Sequence, residues 1–278
     1  MRPLPARGYL GTMAPPLAYC FDLDGTLYRG DAAIPGAVAI LGRLRAAGVP
    51  FRCLSNTSSR PRSALLARLR GYGFDVREDE LLTATLAAGD LLRSRGCRRL
   101  LPILTPAAAA DLAGFELVGG TSGSPPGRAD AVLIGDLGDG WSDALMQEAF
   151  HALMDGAEFI AVSRDRFWRR GEALVMDCGA YVAGLEYATG RTATISGKPS
   201  TVFYAAALAS LGDPEPHGVA MVGDDPWSDV AGAQAAGMQG WFVASGKADT
   251  GALAASGVRP DRVLASVAEL PEQNYRPA

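Results

Sequence analysis

A short apolar run, Leu17-Ala18-Tyr19-Cys20-Phe21, passes directly into Asp22-Leu23-Asp24-Gly25-Thr26, and this passage constrains the fold more than any other stretch of the chain. In an extended segment, residues i and i+2 point to the same side. Asp22 and Asp24 therefore begin on one face, where a buried strand enters a turn that Gly25 permits. Two carboxylates brought that close repel unless a cation lies between them or one holds a proton. An oxygen-only donor set favours Mg2+ or a similarly hard cation. The same residues also suit an ordinary turn, because Asp and Gly are frequent turn formers. A calcium loop of the EF-hand type is excluded. Counted from Asp22, its fifth and twelfth positions hold Thr26 and Ala33, not a third ligand and a Glu.

Strand and helix patterns alternate along the chain. The apolar run of 17–23 reads as a buried strand, 35–47 as a helix stopped by Gly48, and 49–54 as a second strand leading into Ser55-Asn56-Thr57. A helix follows over 61–71, with Leu65, Leu66 and Leu69 on its apolar face. Far along the chain, 218–223 is a further apolar strand that runs into Asp224-Asp225. A helical stretch over 226–237, a strand over 241–244 and an edge strand over 262–264 come after it. This alternation predicts a parallel sheet covered by helices. The middle reads as a separate α/β unit. The loop 121–128 precedes a strand over 131–135, a helix over 142–154 capped by Ser142, strands over 159–162 and 174–176, and a helix over 179–189 closed by Gly190. The expected division is a tail over 1–16, a core made of 17–87 and 191–278, and an inserted unit over 88–190.

The 278 residues suffice for one large or two ordinary domains, and 48% hydrophobic content supports a true core. A net charge of −4 argues against general binding to nucleic acid or to acidic membranes. No apolar run reaches the length of a transmembrane helix, and residues 1–16 lack the apolar centre of a signal peptide. Met13 is a second candidate start. Cys20, Cys53, Cys97 and Cys178 form no Cys-x-x-Cys pair, so zinc and a disulfide framework are not expected, and free thiols of a cytoplasmic protein are. Among 26 basic residues only Lys198 and Lys247 are lysines. A lysine kept where arginine is the habit points to a need for a compact charge.

Three predicted strands thus end in polar residues, at Asp22, at Ser55 and at Asp224, and ligands of open parallel sheets bind beyond such strand ends. The fourth component is Gly197-Lys198-Pro199-Ser200. Pro199 suits the first turn of a helix, which sets Lys198 beside a helix N-terminus and its free N–H groups. Lys198 also fits an ordinary surface loop. Taken together, the groups suit phosphoryl transfer. Mg2+ held by Asp22, Asp24 and Asp224, with Lys198 and the Ser55 hydroxyl, would neutralise a phosphate dianion. Asp22 would attack phosphorus, and Asp24 would protonate the leaving oxygen and then activate water. Asp229 has three readings: support for the metal, support for Lys198, or a plain acid at a helix start.

These segments, namely Asp22-Leu23-Asp24-Gly25-Thr26, Ser55-Asn56-Thr57, Gly197-Lys198-Pro199, and Gly223-Asp224-Asp225 with Asp229, resemble the four motifs of the haloacid dehalogenase-like superfamily in that family's order. The insert is similar to the α/β (C2-type) cap of its subfamily IIA, the NagD-like phosphatases. Within it, Asp155-Gly156-Ala157, Phe159-Ile160-Ala161 and Gly184-Leu185-Glu186-Tyr187-Ala188-Thr189 resemble the phospholysine phosphohistidine inorganic pyrophosphate phosphatases. The likeness covers about residues 17–270. It implies a Rossmann-like parallel-sheet core with an inserted cap, and a Mg2+-dependent phosphatase acting on a small phosphorylated substrate through an aspartyl-phosphate. It implies Asp22 as nucleophile and Asp24 as acid and base, with the Asp24 backbone carbonyl, not its side chain, on the metal beside the Asp22 and Asp224 carboxylates. Ser55, Asn56 and Lys198 would hold the phosphoryl group, with Asp225 and Asp229 in support. Asp24 also argues against a dehalogenase, which has no leaving alcohol to protonate and no need for magnesium.

Around Asp177-Cys178-Gly179-Ala180 the chain departs from the richer Gly and Pro content of that family. The resemblance sets this segment in the cap facing the site, so Asp177 and Cys178 are expected substrate contacts. Cys178 as a nucleophile is not supported, because His151 and His217, the two histidines, lie far from it in sequence. The run Arg164-Asp165-Arg166-Phe167-Trp168-Arg169-Arg170 interleaves basic and aromatic residues, as single-strand binders do. Asp165 and Glu172 weigh against nucleic acid, which leaves a solvated surface or a contact to an anionic substrate. The alternatives to a phosphatase are a phosphotransferase or mutase sharing the first half-reaction, and a non-catalytic phosphate-binding regulator. Pairing of caps into a homodimer is expected by analogy with the related enzymes.

Overall fold

In a computed structural model, which describes residues 15–170 and 173–271, the run Ala18–Asp22 forms the inner strand of a six-stranded sheet. For 168–170 only the backbone is described. The expectations for residues 1–14, for Met13 and for Glu172 lie outside the described residues.

The strand order is 262–264, 239–243, 219–223, 18–22, 51–55, 81–83, and every pairing is parallel. A parallel sheet covered on both faces needs apolar side chains on both, which explains an unbroken apolar run in place of alternation. Tyr19 and Phe21 face one layer, where Tyr19 meets Trp241 edge-on at 5.8 Å and Phe21 meets Phe51 at 6.4 Å. Ala18 and Cys20 face the other layer, in the same cluster as Leu54, Phe203 and Tyr204. The helices Ala37–Ala46 and Arg62–Gly71 cover the first layer through Ile40, Leu44, Leu65 and Leu69. Thr201–Ser210 covers the second through Phe203, Tyr204 and Ala207.

A second, five-stranded sheet is also wholly parallel, in the order 194–195, 158–161, 131–134, 99–103, 116–117. Its helix Asp143–Met154 starts where the Ser142 hydroxyl accepts from the Leu145 N–H, and Cys178–Thr189 ends at Gly190 with φ 66°. The expected α/β architecture of parallel sheets is the one observed. Antiparallel ribbons, 28–29 with 32–33 and 167–170 with 173–176, are additions. No helix among the described residues is long and apolar enough to cross a membrane. All four cysteines are free thiols, three of them buried.

The structure departs from the sequence reading in several places. Strands 81–83, 99–103, 116–117 and 194–195 were not expected. Pro102 interrupts one apolar run, and the others are too short to carry a period. The helix after Pro199 starts at Thr201 with Ser200 as its N-cap, so Pro199 precedes the helix. The stretch 226–237 is not one regular helix. Pro226–Ala231 is a wider π-type turn, followed by a short helix over Gly232–Ala235. Both the Asp229 and the Val230 N–H groups bond the Asp225 carbonyl, which widens the turn. Such turns recur at functional sites.

Candidate active site

Asp22 closes the strand 18–22, Ser55 closes 51–55, and Asp224 follows 219–223, so the parallel register brings all three to one sheet edge. Lys198 reaches the same edge from the segment that follows the last strand of the smaller sheet. It is 5% exposed. Its Nζ donates to Asp22 Oδ1 at 2.5 Å and to Asp229 Oδ1 at 2.7 Å. Carboxylate oxygens of Asp22, Asp224 and Asp229 lie within 4.8 Å of one another. These residues line a cleft of about 1000 Å³ together with Asp24, Ser55 and Asn56.

Small residues make this convergence possible. Gly25 has φ +87°, and a Cβ there would stand 2.5 Å from Asp224 Oδ2. At Gly223 a Cβ would stand 2.2 Å from Asp229 Oδ2. The turn at Gly25 is held by its N–H on the Tyr28 carbonyl and by the Ser245 hydroxyl on the Gly25 carbonyl. Asp224 Oδ2 accepts the Lys247 N–H at 2.7 Å. Asp229 Oδ2 accepts the Asp225 N–H at 3.1 Å.

Burial lifts the Asp22 carboxyl above its ordinary value. The Lys198 ammonium opposes that lift and Asp224 adds to it. Burial and then the charge of Asp229 push Asp224 up to about 6. Asp229 is likewise pushed up to about 6 by burial, against the pull of Lys198. Burial alone would lower Lys198, but Asp22 and Asp229 hold it charged, well above its ordinary value. Burial pushes Asp225 up, but Lys247 together with the Ser228 and Trp227 N–H groups holds it below the usual carboxylate range. Three mutually repelling, buried carboxylates with oxygen donors only are what a hard dication relieves. The residues present therefore fit Mg2+.

Asp22, Ser55, Lys198, Asp224 and Asp229 meet as the sequence reading expects. The Asp24 side chain lines the cleft from an exposed position and stands outside the close carboxylate group. Asp229 accepts from Lys198 Nζ and also belongs to the close carboxylate group. Asp225 caps the following turn, accepting from the Trp227 and Ser228 N–H groups at 2.8 Å, and pairs with Lys247 Nζ at 2.7 Å.

Asn56 lines the cleft, and its side-chain amide donates to the Lys198 carbonyl at 2.9 Å and accepts the Lys198 N–H at 2.8 Å, which fixes Lys198. Two expectations need correction. Cys178, expected to contact substrate, is 1% exposed inside the smaller unit, where its Sγ lies 3.6 Å from the Ser163 carbonyl. Asp177 starts the helix 178–189 by accepting the Cys178 N–H, and it does not line the cleft.

Lys247, Trp227, Tyr28, Arg29 and Asp165 line the cleft and were missed. For Lys247 the signal was at hand: both lysines of the chain reach this one cleft. Asp165 lay inside a run dominated by arginine, where it was read only as weighing against nucleic acid.

Comparison with known proteins gives one family. A haloacid dehalogenase-like hydrolase model matches residues 19–117, and a second model of the same type matches 195–270. The chain is 39% identical over 230 residues to haloacid dehalogenase-like hydrolase domain-containing protein 2 of Bos taurus, covering 83% of this chain and 85% of the relative. It is 32% identical over 254 residues to the phospholysine phosphohistidine inorganic pyrophosphate phosphatase of Rattus norvegicus, covering 89% and 90%. The solved p-nitrophenyl phosphatase from Archaeoglobus fulgidus superposes with a TM-score of 0.84 at 29% identity, covering 94% of this chain and 100% of that one.

Proposed function

This chain belongs to the haloacid dehalogenase-like hydrolases as a phosphatase, and from that premise we propose that it removes phosphate from a small phosphorylated substrate through an aspartyl-phosphate on Asp22, with Mg2+. The observation that carries this reading is the seating of Asp22 against Lys198, with Asp224 and Asp229 beside it, in an open cleft.

The Asp22 and Asp224 carboxylates and the Asp24 backbone carbonyl would hold Mg2+, which when bound would supply positive charge against the carboxylates and the phosphoryl oxygens. The remaining steps belong to side chains. An Asp22 carboxylate oxygen forms a bond to phosphorus in line with the leaving oxygen. The bond to the leaving oxygen breaks, its electron pair stays on that oxygen, and Asp24 gives it a proton. Asp24 then takes a proton from water, whose oxygen displaces the Asp22 carboxylate from phosphorus and frees phosphate. Lys198 meets the developing phosphoryl charge, and Asn56 fixes its place from both sides of the backbone. The Ser55 Oγ accepts the Thr57 N–H at 3.1 Å, which leaves its own O–H to donate to the phosphoryl group.

The unit built on the smaller sheet acts as a cap. Asp165, from the segment after its strand 158–161, lines the same cleft as Asp22 and Asp24. Closure there keeps water out during the first step and admits it for the second.

The test is phosphate release from a panel of metabolite phosphates and p-nitrophenyl phosphate, with Asp22→Asn as the blank. Release that needs Mg2+, stops with a chelator and is absent in the variant is expected. Near-normal release by Asp22→Asn on any good substrate would defeat the reading.

A further inference from the structure

Most of the residues that line the cleft are polar or charged. Its lining includes six aspartates and three cationic residues, Arg29, Lys198 and Lys247. The large apolar side chains Leu23 and Tyr28 also border it, but they are only 2% and 4% exposed. Trp227 is different: it lines the same cleft and is 60% exposed. Among the described residues it is the one large apolar surface the cleft offers.

The backbone fixes this placement. Trp227 sits in the wide turn between Asp224 and Asp229. Its N–H donates to Asp225 Oδ1 at 2.8 Å, and Pro226 precedes it. The turn that buries Asp229, 1% exposed, turns Trp227 outward. No aromatic ring among the described residues stacks on the indole. An indole held in place, wet and unstacked, presents a flat hydrocarbon face. A planar ring covers that face more completely than a flexible polyol does, because stacking needs a flat partner.

We propose that Trp227 is a specificity-determining residue that selects phosphate esters with a planar aromatic leaving group by stacking on it. The inference rests on the phosphatase reading and adds the class of leaving group. The phosphoryl group meets Lys198 at the floor of the cleft, and the ring of the leaving group lies on Trp227. Trp227 takes no part in bond making, so its removal weakens binding of ring-bearing substrates and leaves the chemistry of other esters intact.

The experiment compares kcat/KM for 2-naphthyl phosphate, glycerol phosphate and phosphocholine in the wild type, Trp227→Ala and Trp227→Phe. For Trp227→Ala a loss of about tenfold on the naphthyl ester, mostly in KM, is expected, the scale of one aromatic pair. Glycerol phosphate and phosphocholine should stay within about twofold, and Trp227→Phe should recover most of the naphthyl activity. Equal losses on all three esters would mean a structural role and overturn the proposal, as would no loss at all. A loss confined to phosphocholine would make the indole a platform for cations and overturn it too. Calorimetric binding of benzylphosphonate against methylphosphonate gives the same contrast without turnover. A wild type that hydrolyses none of the esters counts against the phosphatase reading. Equal benzylphosphonate affinity in wild type and Trp227→Ala counts against the role of Trp227.

Discussion

The two parallel sheets of this molecule obey the same rules, yet they differ in what stands at their strand ends. In the large sheet, the ends of 18–22, 51–55 and 219–223 deliver Asp22, Ser55 and Asp224. In the small sheet, 99–103, 131–134, 158–161 and 194–195 run into Leu104, Gly135, Val162 and Ser196. Leu104 and Val162 are fully buried, and Ser196 gives its hydroxyl to the Ala84 carbonyl. A parallel sheet supplies an edge. What that edge does depends on whether its residues are seated for packing or for charge.

The carboxylates of the two regions make the same point. Asp130, at the start of strand 131–134, accepts the Arg98 and Arg99 N–H groups at 2.8 and 2.9 Å, and these bonds hold it below the usual range. Asp22, Asp224 and Asp229 are held above it by burial and by one another. The first arrangement is satisfied by the fold alone. The second is relieved by a cation or a proton, which is how functional carboxylates are commonly found.

The largest effect that sharpens this contrast is expected at Lys198. Lys198→Met leaves Asp22 and Asp229 without their buried cation, and breaking such a pair costs about 3–5 kcal/mol. Denaturant unfolding should register that loss together with the loss of activity. Lys198→Arg should not restore activity, because a planar fork does not replace a point charge between two carboxylates.

A smaller effect concerns the cation. Mg2+ at about 100 times its dissociation constant should stabilise the folded chain by about 2.7 kcal/mol, and Asp224→Asn should abolish most of that shift in Tm. An equal shift in the variant would remove Asp224 from the metal site. Gly223→Ala comes next. The added methyl would press on Asp229, so activity should fall more than Tm, both being read on the same preparation. Comparable loss from an alanine at Gly42, where nothing lies within 4 Å and φ is not positive, would show a general backbone effect instead.

The smallest effect lies in the second sheet. The depressed Asp130 carboxyl stabilises the fold above its unfolded value of about 3.9. That contribution fades as pH falls through the folded value. The Tm gap between wild type and Asp130→Asn should therefore be present at pH 7 and shrink on acidification, while the two proteins keep equal activity at each pH. A gap that widens in acid would reverse the assignment.

Much of this was legible in the sequence, for definite reasons. The central strand was readable because a sheet covered on both faces demands an unbroken apolar run, and the acidic turn after it was readable because Gly25 marks the bend. Lys198 stood out through the scarcity of lysine. Lys247 carried the same mark, but it acts through its backbone N–H on Asp224 and its side chain on Asp225. Neither contact is local in sequence, so no spacing pointed to it. The bonds that Asn56 makes were hidden for a similar reason, since their partner is the distant Lys198 backbone. Cys178 was misplaced because one step along a helix start decides between solvent and core.

The account turns on the Asp22 carboxylate becoming the group that carries phosphate. The direct measurement is the mass of the peptide containing Asp22 after acid quench during turnover with Mg2+. A phosphoryl adduct on Asp22, absent in Asp22→Asn and decaying when substrate runs out, is expected. Turnover with the adduct on another residue, or undiminished turnover in the variant, would contradict the account.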